Sequence, residues 1–180
     1  FLSGLAGLGY QMVWTRLLTV SLGHEMIAVI AVVAAFFVGL ALGGFALNRM
    51  VHSSRLPHYW YIGLELVIAL WSLALTQLMP LYNEWLPTLI GATPSAWRHW
   101  FFAFGASLLV LLPATFAMGA TLPTMERMSS VLWRRSHKLA GLYGANTLGA
   151  VLGTVSATFF LIPNLGLHTT QWLLAAINLL

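Results

Sequence analysis

The chain of 180 residues is 59% hydrophobic and only 7% charged, with a mean hydropathy of +0.85. Because soluble domains carry about 25% charged residues, this composition excludes an ordinary water-soluble fold. The absence of cysteine excludes disulfides, thiolate metal sites and cysteine nucleophiles. The chain contains no aspartate. Separately, we expect no nucleic-acid partner. The carboxylates are Glu25, Glu65, Glu84 and Glu126.

A length of 180 residues suits six membrane spans, at roughly 20 residues each plus loops. In chain order, apolar runs predict spans at about 1–21, 25–48, 59–79, 100–122, 139–162 and 167–180. The sequence begins at Phe1 and stops within an apolar run, so we expect a fragment whose last span continues. The predicted fold is one all-α, polytopic transmembrane bundle over 1–180.

Aromatic and proline residues predict where several spans begin and end. The aromatic run 59–61 opens the third span at an expected interface position. Pro80 is predicted to end that span, with 81–99 lying along the membrane surface. Pro163 and Asn164 predict the turn between the last two spans.

The distribution of lysine and arginine predicts the orientation. Loops 48–58 and 124–138 hold six basic residues, whereas the loops on the other side hold only Arg98. Because cytoplasmic loops are enriched in these residues, we expect both loops and the N-terminus in the cytoplasm, with the protein in the bacterial inner membrane. The six residues are Arg49, Arg55, Arg127, Arg134, Arg135 and Lys138.

Two of the predicted spans carry a small residue at every fourth position. Since positions i and i+4 share a helix face, each series forms a smooth ridge that lets another helix approach closely, as helices do in lipid. We therefore expect a second helical half, a soluble domain or other membrane subunits to pack on spans two and five. The ridges are Ala31, Ala35, Gly39 and Gly43, and Gly141, Ala145, Gly149, Gly153 and Ala157.

Arg16 and Glu65 are the ionisable residues expected within the hydrocarbon, where such groups usually face the bundle interior with a partner. Glu65 is predicted to lie roughly 9 Å above the cytoplasmic side, at 1.5 Å per residue. Arg16 lies near the outer end of span one, so its expected partner is Glu25. At the depth of Glu65 we expect a polar layer, which is either a substrate or proton site or a structural hydrogen-bond cluster. Its other members are Thr115, Tyr143, Asn146 and Thr147.

No catalytic residue, metal site or cofactor site is predicted within this chain. All six histidines fall at span ends or in loops, and none forms an i, i+4 pair with another metal ligand. The glycines of Gly7-Leu8-Gly9 lie inside a span with no strand before them, so they do not form a nucleotide-binding loop.

Several segments resemble one family in both sequence and order. They are SGLAGLGYQMVWTR (3–16), VGLALGGFALNR (38–49), LELVIAL (64–70), LLPATFAMGATLP (111–123), GLYGANTLGAVLGTVSATFFLIPNLGL (141–167) and AAINL (175–179). The set resembles the membrane region of bacterial proteins that join a helical bundle to a spermidine-synthase-like domain, also labelled MFS-type transporters. The loop after span two is similar to the arginine-bearing loop of major-facilitator proteins, with Asn48-Arg49 in place of the usual acidic-arginine pair.

The resemblance implies half of a major-facilitator-type fold. It also implies a soluble Rossmann-like domain, outside this sequence, that binds decarboxylated S-adenosylmethionine and a polyamine. This chain would then anchor or feed a cytoplasmic aminopropyltransferase-like domain without being catalytic itself. Two alternatives stay open: half of a secondary transporter for a small solute such as a polyamine, and a non-catalytic subunit of a larger membrane complex.

Overall fold

The computed structural model describes residues 1–91, 93, 95–133 and 137–180, and for 132, 133 and 137–139 it describes the backbone alone. Arg134 and Arg135 lie outside the described residues. The described chain is helical, which confirms the predicted all-α fold class. Its elements are α1 (Leu2–Leu22), α2 (Glu25–Ser53), α3 (Pro57–Ile90), α4 (Ala96–Trp133), α5 (His137–Ser156), a π-helix (Ala157–Leu161) and α6 (Ile162–Asn178).

Four helical segments are long and apolar enough to cross a membrane, with mean hydropathies between 1.6 and 2.7. They are α2, α3, the part of α4 from Ala96 to Val131, and Ala140–Asn178, which joins α5, the π-helix and α6. Large apolar side chains point away from the protein, as for Phe45, which is 88% exposed, and Leu109, which is 72% exposed. Outward apolar surface of this kind is typical of lipid contact, so length, hydropathy and exposure all indicate a membrane protein.

Helix α3 continues through Pro80 and Pro87 to Ile90, so the prediction that Pro80 ends the third span is wrong. The predicted surface segment 81–99 is likewise helical over 81–90, and α4 already begins at Ala96. Proline is tolerated inside membrane helices because neighbouring helices, side chains and local adjustments satisfy the freed carbonyl group. Helix α4 also runs past the predicted end of the fourth span, with Pro123 in its interior.

The chain reverses at Gly166, which lies within the range of α6 and has a non-helical φ of 75° and ψ of 171°. Glycine suits this position because it alone adopts positive φ without steric cost. The predicted turn at Pro163-Asn164 is instead helical. Pro163 lacks an N–H group, and the side-chain amide of Asn164 donates to the Phe160 carbonyl at 2.7 Å, which satisfies a carbonyl where the π-helix ends.

Contacts between the helices show the direction of each one. Gly149 and Gly153 lie against the carbonyls of Phe1 and Leu5, so α5 runs parallel to α1. In the same way, α2 and α4 are parallel, since Gly39 contacts Thr115 and Arg127 contacts the Ser54 carbonyl. Helices α3 and α6 are antiparallel, because Asn178 contacts Glu65 and Gln171 contacts Ser72.

Helix α1 lies at the centre of the bundle, in contact with α2, α3, α5 and α6, while α4 packs on α2 and α3. The side chains of Tyr10, Val13, Trp14 and Leu18 are fully buried. Because other helices surround α1, few of its side chains face lipid, and the helix needs fewer apolar residues than one at the periphery. Its central position explains why α1, with Gln11 and Arg16, is not among the four apolar segments described above.

The small-residue ridges are occupied within the chain, except at the Gly141 end of the α5 ridge. Along α2, Gly39 and Gly43 face α4, and Gly119 of α4 in turn faces the backbone of α2. Along α5, Gly149 and Gly153 face α1, whereas Gly141 has open space beside it. Ala31, Ala35 and Ala157 are buried and Ala145 is half-buried. A further partner on α2 or α5 would therefore have to use other faces of these helices.

A methyl group at Gly43 would overlap the Phe116 carbonyl, whereas one at Gly63 of α3 would meet nothing within 4 Å. We expect Gly43→Ala to lower the free energy of unfolding by about 2 kcal/mol, through the strain of overpacking. The matched variant Gly63→Ala should leave it unchanged or raise it, because alanine favours a helix. Thermal unfolding in detergent measures both, and equal stability of the two variants would contradict the packing described here.

Candidate functional site

Polar side chains line the interface of α1, α3 and α6, in three pairs that are each seven residues apart. Seven residues make two helical turns, so both members of a pair lie on one face of their helix. We call this set the polar seam. It consists of Ser3 and Tyr10 on α1, Glu65 and Ser72 on α3, and Gln171 and Asn178 on α6.

Glu65 lies at the end of the polar seam nearest the N-termini of α1 and α3 and is only 5% exposed. The side chains of Ser3, Tyr61 and Asn178 face its carboxylate. These three groups are within reach of the carboxylate, but none of the described residues is aligned to donate a hydrogen bond to either of its oxygens. The amide of Asn178 donates to the Glu65 backbone carbonyl instead, at 3.0 Å. A buried carboxylate without a partner is costly, so this carboxylate is ready to take a proton or a cationic group.

Gln171 and Ser72 form the next level of the polar seam, and both are fully buried. The Gln171 side-chain amide donates to the Ser72 carbonyl and, at 3.2 Å, to the Ser72 hydroxyl. Within the described part of the chain, the Gln171 amide oxygen and the Tyr10 hydroxyl form no hydrogen bond. Buried polar atoms normally have partners, so these atoms extend the unsatisfied region two helical turns along α3 from Glu65.

Tyr10 is held in place by stacking. Its ring lies 5.4 Å from that of Trp14, with an interplanar angle of 8°, and Trp14 in turn packs on Phe36. The aromatic column occupies the centre of the bundle, where it excludes water from the α1 side of the polar seam. Since the packing fixes the ring, the Tyr10 hydroxyl stays directed at the seam next to Ser72.

Arg16 and Glu25 meet at the connection between α1 and α2, where the guanidinium Nη1 donates to Oε1 at 2.9 Å. The two side chains are 52% and 62% exposed. An exposed pair of this kind contributes little to stability. It lies at the opposite end of α1 from Ser3, so it is separate from the Glu65 carboxylate.

The other residues of the predicted polar layer are distributed elsewhere in the structure. Thr115 faces Gly39 in the contact between α2 and α4, and its hydroxyl donates to the Leu111 carbonyl of its own helix. Asn146 packs against Gly4 of α1. Tyr143 and Thr147 are exposed on α5.

Sequence reasoning found Glu65 but missed its neighbours on α1 and α6. Equal depth in the membrane was the criterion, and depth alone does not show which helices are adjacent. A signal was present in the seven-residue spacing of Ser3 and Tyr10, and of Gln171 and Asn178, because polar residues two turns apart on one face are typical of a helix contact.

Among the residues that the structure describes, there is no group of three or more histidine, cysteine or acidic side chains that could hold a metal ion. Comparisons with protein-family models, with curated proteins and with solved structures found no match for this chain. The resemblance to spermidine-synthase-like membrane proteins therefore stays a prediction, and the site has to be interpreted from its own geometry.

A functional and a structural role for Glu65 predict opposite effects on stability. We expect Glu65→Gln to keep or raise the free energy of unfolding, by up to about 1–3 kcal/mol, because it removes an unsatisfied buried carboxylate. Gln171→Leu should lower it by about 1 kcal/mol, since it breaks hydrogen bonds to Ser72. Unfolding followed by tryptophan fluorescence compares the variants. If Glu65→Gln lowered the free energy of unfolding as much as Gln171→Leu does, the role of Glu65 would be structural.

Proposed function

We propose that this chain is a membrane domain that binds a cationic group, either a proton or an amine, at Glu65. The observation that carries the proposal is the buried carboxylate between α1, α3 and α6, with neither oxygen hydrogen-bonded by a described residue. Ionisable groups inside a membrane usually face the bundle interior and mark ion or substrate pathways. A cation or a proton at this position would remove the cost of the buried charge.

We propose six membrane crossings, with the N-terminus in the cytoplasm. The alternating directions of the helices support this topology, because α1, α3 and α5 run one way and α2, α4 and α6 the other. The excess of basic residues in segments 48–58 and 124–138, which include the helix ends as well as the connections, supports the orientation. In this arrangement Glu65 lies about 12 Å along α3 from Pro57, in the cytoplasmic half of the membrane.

An amine is the cationic group that best fits both the site and the family resemblance. The Tyr61 hydroxyl lies beside Glu65, and its oxygen would accept a second N–H group of the amine. In the resembling family, a polyamine is the substrate implied for the soluble domain. On this proposal the bundle anchors a cytoplasmic aminopropyltransferase-like domain in the bacterial inner membrane and delivers its amine substrate.

One further observation favours the alternative of a secondary transporter. The unsatisfied polar atoms continue outward from Glu65 to Gln171 and Tyr10, so a solute leaving Glu65 has a second polar level on its way through the bundle. In that case the Glu65 site binds a solute that crosses the membrane, rather than an amine that is delivered to an enzyme domain.

The lack of natural cysteine allows a direct test of the topology. We expect Ser95→Cys and Leu165→Cys in intact cells to react with a membrane-impermeant maleimide, because they lie at the outer ends of the helices. Ser53→Cys should react only after permeabilisation. If Leu165→Cys failed to react from either side, Ala140–Asn178 would be a single crossing and the six-span topology would be wrong.

Polyamine binding is tested with the full-length protein reconstituted in proteoliposomes. We expect Glu65→Gln to reduce uptake of radiolabelled spermidine at least about tenfold, since it removes the charge that pairs with the amine. Glu84→Gln is the matched control, because Glu84 lies on the same helix and is exposed, and it should transport normally. Equal uptake by both variants would contradict the proposal.

A further inference from the structure

A cavity of about 380 Å³ lies between α1, α2 and the region where the π-helix joins α6. Its volume is within the range of small-molecule sites. The α1 residues that line it, Gln11, Met12, Thr15 and Arg16, fall on the side of the helix roughly opposite Tyr10, by the period of 3.6 residues per turn. The cavity is therefore separate from the polar seam.

The walls of the cavity are charged at the rim, mainly apolar along α2, and polar again at the opposite end. Along α2 they consist of Glu25, Val29 and Val33, which are spaced by four and therefore share one face. The outer rim is the Arg16–Glu25 pair. Towards the inner end, about 7 Å along α1 at 1.5 Å per residue, lie Gln11 and Thr158.

Thr158 belongs to the π-helix, and its buried hydroxyl has no hydrogen-bond partner among the described residues. π-Helical turns occur frequently at functional sites. Here the turn lies on the wall of the cavity, with Ile162 and Pro163 following on the same wall.

The ion pair at the rim leaves binding capacity on both partners. Only Nη1 of Arg16 and Oε1 of Glu25 take part in their contact, whereas a guanidinium has five N–H donors and a carboxylate has two oxygens. Both side chains are more than half exposed. An anionic group can therefore bind Arg16 while an ammonium group binds Glu25. Because the two charges cancel, the rim favours a zwitterion over an anion alone.

We propose that this cavity binds an amphiphile with a zwitterionic head group. The phosphate or carboxylate of the ligand pairs with Arg16, its ammonium pairs with Glu25, and its apolar chain lies against Met12, Val29 and Val33. The charges are at the end of α1, where a membrane places its head groups, and the apolar walls extend towards the hydrocarbon. The same chemistry is offered by a zwitterionic phospholipid of the bilayer and by a free zwitterionic solute.

The experiment measures ligand binding to the delipidated full-length protein by native mass spectrometry. The probes are phosphatidylethanolamine, phosphatidylglycerol with the same acyl chains, and glycerophosphoethanolamine, which has the head group without the chains. We expect the protein to bind phosphatidylethanolamine about tenfold more tightly than phosphatidylglycerol, the difference that one charge-assisted hydrogen bond supplies.

The variants assign the binding to individual residues. Glu25→Gln, which keeps the shape of the side chain, should abolish the preference for phosphatidylethanolamine, whereas Arg16→Gln should weaken the binding of both lipids. Val33→Trp should weaken both about tenfold by filling the cavity. Glu84→Gln, an exposed carboxylate outside the cavity, should behave as wild type, and circular dichroism checks that each variant is folded.

Tight binding of the head group without chains would identify a free zwitterionic solute as the ligand, whereas binding of the acylated probe alone would identify a lipid. Either result supports the site if Glu25→Gln removes the preference. The proposal is overturned if the wild-type protein binds both lipids equally, or if Glu25→Gln keeps the preference.

Discussion

Helices in lipid gain nothing from the hydrophobic effect when they meet, so their association depends on how closely their backbones approach. In this chain glycine supplies that approach at two contacts. Gly39, Gly43 and Gly119 bring α2 and α4 together, and Gly149 and Gly153 bring α5 against α1. The second contact involves α1, which lies at the centre of the bundle through its further contacts with α2, α3 and α6.

The contact of α1 with α3 and α6 has a different character. The side chain of Leu174 packs against Gly9. The polar seam provides the hydrogen bonds of this contact, from Gln171 to Ser72 and from Asn178 to the Glu65 backbone. Hydrogen bonds between membrane helices hold a register that apolar packing alone leaves open. The Glu65 carboxylate does not take part in this bonding, although its neighbours carry groups able to donate. A buried carboxylate whose oxygens are not hydrogen-bonded adds no stability to this contact, which is the reason for proposing a ligand at Glu65.

Local rules were sufficient to predict a large part of this architecture from the sequence. Apolar run length predicted helices in lipid, and the period of 3.6 residues predicted that Gly39 and Gly43, or Gly149 and Gly153, share one face. The effect of Pro80 was not predictable in this way, because a proline ends a helix in water but is tolerated where neighbouring helices satisfy its missing hydrogen bond.

The partners of the ridges and of Glu65 depend on which helices are adjacent, and that is a property of tertiary packing. Depth alone predicted that Thr115 and Asn146 lie beside Glu65. In the structure Thr115 packs against Gly39 of α2, and Asn146 packs against Gly4 of α1. Arg16 and Glu25 could be paired from the sequence because one short connection holds both. Asn178 is 113 residues from Glu65, and only the packing of α6 on α3 brings them together.

The central claim is that the Glu65 carboxylate binds a cationic group, and infrared difference spectroscopy tests it most directly. The spectrum of the full-length protein in lipid would be recorded before and after addition of spermidine, and again across a change of pH. We expect a change in the carboxyl stretching bands that disappears in Glu65→Gln and persists in Glu84→Gln. A spectrum without such a change, or a change that remains in Glu65→Gln, would contradict the account.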